Sequence, residues 1–215
     1  MKALLHHKCL IILFLLISCL PAQAEVNGEI KQLQQEWAQI KYTLDKKEHE
    51  VALEKLATKA AAIRETQLAN ADVHLWEGII LSTYAGAIGS LRALEAVEQS
   101  RSALELSIKI DPNASNGAAH TYLGTLYYLV PEWPIAFGDF EIAKEYLEKA
   151  IELNPDDIDA NYFYADFLRK QKKYADAEIA FNKANNAPAR PGRELADEGR
   201  RKEAKEGLED IKDKL

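Results

Sequence analysis

Beyond residue 24 the sequence has no cysteine, because Cys9 and Cys19 both lie within its first 24 of 215 residues. A chain cut after Ala24 can form neither a disulfide nor a thiolate metal site. Basic residues are scarce. Lys2 and Lys8 are the only charged residues before Glu25, so 25 of the 27 basic residues are set against all 34 acidic ones. Nucleic acid binding needs a concentrated basic face, and this balance excludes that partner. Catalytic signatures are missing too, with no His-Glu-x-x-His, no Gly-x-Ser-x-Gly and no phosphate loop. The histidines after Ala24 are His49, His74 and His120, and their spacing assembles no metal site. Carboxylates abound, yet no pattern singles out an acid–base pair. The expectation is a protein that is not an enzyme and holds no cofactor or metal. Its composition, 47% apolar and 28% charged, suits one globular domain.

The N-terminus reads as an address. Lys2 and Lys8 flank the start of an apolar run from Cys9 to Leu20, roughly a dozen residues where a membrane-spanning helix needs about 20. Pro21 ends the run, and Ala22-Gln23-Ala24 supplies a small-x-small cleavage site. Residues 1–24 are therefore expected to be a signal peptide, with a mature chain starting at Glu25. A second cut competes, since Leu16-Ile17-Ser18-Cys19 resembles a bacterial lipobox in which Cys19 would be lipidated. An uncleaved anchor is disfavoured by the shortness of the run. Either cut predicts a periplasmic protein, in the second case tethered to a membrane by lipid alone.

From Glu25 onward apolar residues recur at three and four, as in Ile30, Leu33, Trp37, Ile40 and Leu44, and no stretch alternates with period two. This predicts an all-α domain. A longer period overlies the helical one. Ala165, Ala177, Phe181, Ala184 and Pro188 follow the spacing of a tetratricopeptide unit: a small residue in one helix, then small, bulky and small in the next, then proline. Gly124, Ala143, Leu147, Ala150 and Pro155 repeat the order, as do Gly78, Ser100, Leu104, Ser107 and Pro112, each with extra residues between the two helices. Small residues let paired helices approach, the bulky one fills the gap, and proline stops the second helix. With a degenerate first pair, 29–46 and 48–68, residues 25–191 are expected to form about four units of a helical-hairpin superhelix. Residues 192–215, 15 of them charged, are expected to form a solvent-facing C-terminal cap helix with a seam of Leu195, Leu208, Ile211 and Leu215. The other reading of this segment is a charged tail that recruits a partner.

Two departures from a plain repeat invite function. Val130 to Asp139 contains two prolines, a glycine, Trp133, Ile135 and Phe137, far too apolar for a solvated turn. It either folds back as local core or sets Trp133 and Phe137 beside a ligand or partner site. Asp139 is placed to cap a helix starting at Phe140. The segment Tyr84 to Leu91 should lengthen the first helix of its unit and turn at Gly89. The first helix of each unit supplies aromatic residues for a concave groove, notably Trp76, Tyr122, Tyr128, Tyr162 and Phe163, with only Arg169 and Lys170 as nearby cations. These aromatics are either core or the lining of a binding surface. A groove so poor in Lys and Arg is not one that grips a carboxylate tail. His74 and His120 stand at equivalent positions and are expected to be structural.

Leu126-Tyr127-Tyr128-Leu129-Val130-Pro131-Glu132-Trp133-Pro134-Ile135-Ala136-Phe137-Gly138-Asp139, followed by Ala143, Leu147 to Ala150, Asn154-Pro155 and Asn161 to Tyr164, resembles the TatT family, the T component associated with TRAP transporters. The resemblance is sharp over residues 124–168 and weaker over 72–123. It implies a periplasmic, often lipid-anchored repeat protein that can form a homotrimer. It further implies partnership with a periplasmic substrate-binding protein that delivers small, hydrophobic organic ligands to a membrane transporter. The segment Val130 to Asp139 and the aromatic helix Tyr162 to Phe167 are the parts it nominates. The rival expectation is a general protein-interaction scaffold in envelope assembly, whose groove takes a peptide.

Overall fold

The computed structural model describes residues 19–89 and 91–215, with side chains from Val26 onward. The leader, residues 1–18, lies outside the described residues. The two expected cuts, before Cys19 and after Ala24, fall at the start of and within the first described helix. Among the described residues nine α-helices follow one another: α1 Cys19–Thr43, α2 Lys46–Thr66, α3 Ala71–Ile88, α4 Leu94–Ile110, α5 Ala118–Leu129, α6 Phe140–Leu153, α7 Ile158–Lys170, α8 Tyr174–Asn186 and α9 Glu194–Ile211. No strand occurs among the described residues, and none of their helices is long and apolar enough to cross a membrane.

Local chemistry sets the helix ends. Asn70 accepts from the amides of Asp72 and Val73, Asp139 from those of Glu141 and Ile142, and Asp157 from that of Ala160, each supplying an acceptor that the first turn lacks. Asp139 thus caps α6 as expected. At the other end of α3, Gly89 takes φ +63°, which stops the helix where the sequence placed the turn.

Consecutive helices pair as α1/α2, α3/α4, α5/α6 and α7/α8, an all-α superhelix of tetratricopeptide type. The predicted seam residues meet across the pairs. A methyl group added to Gly78 would lie 2.6 Å from Leu104 Cγ, and one on Gly124 would lie 2.8 Å from Leu147 Cγ. Ser100 Oγ donates to Gly78 O at 2.7 Å and Ser107 Oγ to Ala71 O at 2.8 Å, so these small residues also bind the facing backbone. Ala165, Ala177, Phe181 and Ala184 are buried together. His74 and His120 are buried, their Nε2 atoms on the carbonyl oxygens of Leu68 and Pro112, which matches the structural role expected of equivalent positions.

The cap helix differs from expectation. α9 packs on α8 and α7 and also reaches α1, bringing the last helix back against the first described one. A Cβ added to Gly199 would force the ring of Tyr42 to move, and one on Gly207 the ring of Phe181. Ala196 joins the core of the N-terminal half while Ala204 and Ile211 join that of the C-terminal half. The buried face of α9 is therefore Ala196, Asp197, Arg200, Ala204, Gly207 and Ile211. Leu215, expected in the seam, is 61% exposed. α9 caps the superhelix by entering it. Charge density suggested a solvated face, but Arg200 and Asp197 find partners of opposite charge inside.

Candidate ligand pocket and its exposed rim

The first helices of the repeats run side by side, and α9 packs against the first and last of them, α1 and α7. Arg200, 1% exposed, is the centre of this interior. Its Nε donates to Asp159 Oδ1 and its Nη1 to Glu203 Oε2, both at 2.6 Å. Its guanidinium plane lies 4.5 Å from the ring centres of both Tyr162 and Phe163. Asp159 Oδ2 accepts from Arg190 Nη1 at 2.8 Å, and Arg190 Nε donates to Asp197 Oδ1 at 2.8 Å. Glu203 Oε1 lies 3.1 Å from Lys41 Nζ on α1. Burial works against the Asp159 carboxylate, but the Arg200 and Arg190 guanidiniums overcome it and hold its pKa far below the usual range. Burial, reinforced by the charge of Arg200 and opposed by Glu203, brings the Lys41 ammonium down to about 8.

Above this cluster lies a pocket of about 640 Å³, a size that holds a small organic molecule. Its inner end is formed by Trp37, Lys41, Tyr122, Phe163 and Arg200. Its outer end is formed by Leu91, Leu129, Pro131 and Ile135, where Leu91 is 69%, Leu129 52% and Ile135 55% exposed. The wall hydroxyls are turned away from the cavity chemically: Ser82 and Thr83 donate to Ile79 O and Thr125 to Thr121 O, each at 2.8 Å. Trp37 Nε1 donates to Thr83 Oγ1 at 2.9 Å. A smaller cavity of about 270 Å³ opens at the opposite end, beneath Trp76, Arg190 and Arg193, and shares Tyr122 with the larger one.

The nominated residues separate into three groups. Tyr122 and Phe163 line the larger pocket, and Trp76 and Tyr122 the smaller one. Tyr128 and Tyr162 are interior supports: Tyr128 Oη donates to Asp166 at 2.9 Å, and Tyr162 packs on Phe181 and Arg200. The loop itself divides. Phe137 is half-buried, edge-on to Tyr127 and beneath Arg101 at 4.3 Å. Trp133, at 85% exposure, stands clear of the core beside a mouth whose Ile135 and Pro131 belong to the same loop. Gly138 makes this shape possible, because a Cβ there would collide with the backbone of Val130 and Pro131, and its amide donates to Pro131 O at 2.9 Å.

Sequence reasoning missed Lys41, Leu91, Leu129 and Arg200. It also described the inner surface as weakly charged, with Arg169 and Lys170 near. Arg190, Arg193 and Arg200 stand on that surface, and Arg169 is held by Asp166 and Asp210. Arg200 sits in the most charged part of the chain and its partner Asp159 is 41 residues away, so no local signal marks it. An exposed Leu91 or Leu129 beside the Trp133 loop is a weak signal of a shared rim, legible only once the loop is placed.

With this geometry in view, a tetratricopeptide repeat family model matches residues 135–191. No curated protein matches the chain. The matched stretch spans the loop from Ile135, helix α6, the pair α7/α8, and the turn that leads into α9. Tetratricopeptide repeats are in general protein-binding scaffolds without catalytic activity.

Proposed function

We propose that this protein is a non-enzymatic accessory of periplasmic solute uptake, in the manner of the T component of TRAP transporters. In this reading it holds a small apolar molecule in the larger pocket and docks a substrate-binding protein on the rim formed by Leu91, Leu129, Trp133 and Ile135. The observation that carries the reading is the continuity of that rim with the pocket: exposed apolar side chains surround the mouth of a cavity whose walls are apolar. A partner seated there would cover the rim and enclose whatever the pocket holds.

The course of α1 supports the same arrangement. Its earlier part lies at the smaller cavity, with Gln34 in the lining and Lys31 beside Gly192, while Trp37 and Lys41 reach the larger one. A tether at the N-terminal end of α1, through a lipid on Cys19, would join the domain on the side of the smaller cavity. The competing reading, a peptide laid along the concave groove, is opposed by α9, which already occupies that surface with Arg200 and Ala196.

The test has two parts. Protein purified from cells and denatured under mass spectrometry should release an apolar small molecule at a stoichiometry near one. Trp133→Ala should weaken binding to a co-encoded substrate-binding protein about tenfold, the effect of losing a central aromatic anchor, while leaving helicity intact. An empty pocket together with unchanged partner affinity overturns the reading.

A further inference from the structure

The walls of the larger pocket are apolar, but its inner end is not, and that end contains polar atoms the protein leaves unused. Arg200 Nη2 is buried and has no hydrogen-bond partner among the described residues, and neither has Tyr122 Oη. Arg200 is 1% and Tyr122 5% exposed. Lys41 stands beside them, held on one side by Glu203. A buried donor left without an acceptor destabilises the fold unless something else satisfies it.

Each of the free atoms can donate. A guanidinium and an ammonium can only donate, and a tyrosine hydroxyl can donate. The nearby acceptors are committed: Asp159 to Arg200 and Arg190, Glu203 to Arg200 and Lys41. A ligand head reaching this end therefore meets donors and no vacant carboxylate, and the complementary group is one that only accepts. A carboxylate fits, because its two oxygens bridge adjacent donors and charge-assisted bonds are the stronger ones. An ammonium or amine head would face like charge.

We propose that Arg200, Tyr122 and Lys41 form a carboxylate site at the inner end of the pocket, and that the ligand is an amphipathic monoanion whose apolar chain runs outward to Leu129 and Ile135. This rests on the larger pocket being a ligand site at all, and the test separates the two claims. Binding also offsets the desolvation that Lys41 bears in the unliganded protein, since an anion beside a buried ammonium favours its charged form.

Calorimetric titration of the purified protein with dodecanoate, dodecan-1-ol and dodecyltrimethylammonium, each below its micelle concentration, reads the preference directly. Dodecanoate should bind at least about tenfold more tightly than the alcohol, and the cation should not compete. Lys41→Met and Tyr122→Phe, both leaving the Arg200 pairs with Asp159 and Glu203 intact, should each reduce the acid-to-alcohol ratio several-fold while circular dichroism stays unchanged. Equal affinity for acid and alcohol overturns the carboxylate site and leaves the apolar pocket standing. Failure of all three probes to bind removes the pocket reading and this one with it. An acid-to-alcohol ratio unaltered in both folded variants places the anion elsewhere and overturns the assignment.

Discussion

Between α5 and α6, Gly124 leaves room for Leu147, and Ala143 and Ala150 pack beside it without a charged group at the contact. Inside the superhelix, where α9 meets α1 and α7, Gly199 packs on the Tyr42 ring, but charge is added to the contact: Arg200 pairs with Asp159, Lys41 with Glu203, and a guanidinium lies on aromatic rings. The seam and the interior solve different problems. A seam joins neighbours in sequence and needs only small residues at a regular spacing, so apolar contact suffices and the solution repeats. The interior joins α9 to helices far back in the chain, and a charge lattice fixes both the register and the direction of that return. A buried ion pair contributes little net stability, yet losing one partner strands the other, so such a lattice tolerates few alternatives.

The largest effect is expected at Arg200. Arg200→Met leaves Asp159 and Glu203 short of their central partner and should cost about 3–5 kcal/mol by urea denaturation. A loss under about 1 kcal/mol would mean the interior is held by packing, like the seams.

In the seam, Ala177→Leu should cost about 1–3 kcal/mol by overpacking α7 against α8. Ala177 is fully buried, and an unchanged melting midpoint would remove it from the contact.

A third experiment isolates the interior by pH. Lys41 has its pKa lowered to about 8 from 10.5. Between those two values the unfolded chain carries a proton there that the folded protein has released, so stability rises with pH across that window. After burial, Arg200, Glu203 and Asp159 are the groups that shape this shift. Raising the pH from 8 to 9.5 should therefore stabilise the protein by about 1–2 kcal/mol. Lys41→Met should abolish the rise, whereas Ala177→Leu should leave it in place at lower overall stability.

The smallest effect on folding is expected at the rim. Trp133→Ala should change stability by less than about 0.5 kcal/mol, as for other exposed positions, and thermal denaturation reads it. Phe137→Ala, which removes a ring between Tyr127 and Arg101, should cost more than Trp133→Ala. Equal losses would mean that the loop folds as one apolar unit, as the local-core expectation had it.

The seams were legible in the amino-acid order because their physics is local and repeats: Gly78, Gly124 and Ala165 face Leu104, Leu147 and Phe181 at offsets that a pair of helices imposes. The cap at Asp139 and the turn at Gly89 were legible for the same reason, each depending on one residue and its immediate neighbours. Aromatic content marked Tyr122 and Phe163 but could not divide them from Tyr128 and Tyr162, since pocket wall and support share one helical spacing. Nor could the loop sequence tell an exposed Trp133 from a half-buried Phe137 four residues on.

Only the tertiary structure decided where α9 goes. A helix this rich in Lys, Arg, Asp and Glu reads as solvated everywhere outside its thin apolar seam, because a lone charge belongs in water. Arg200 is buried because Asp159, Glu203, Tyr162 and Phe163 converge on it from α7 and α9. That convergence depends on the curvature summed over all the helix pairs between residues 26 and 186. The same curvature encloses the pocket and aligns its rim, so the periodic parts of the fold were written in the sequence while the site arose where its two ends meet.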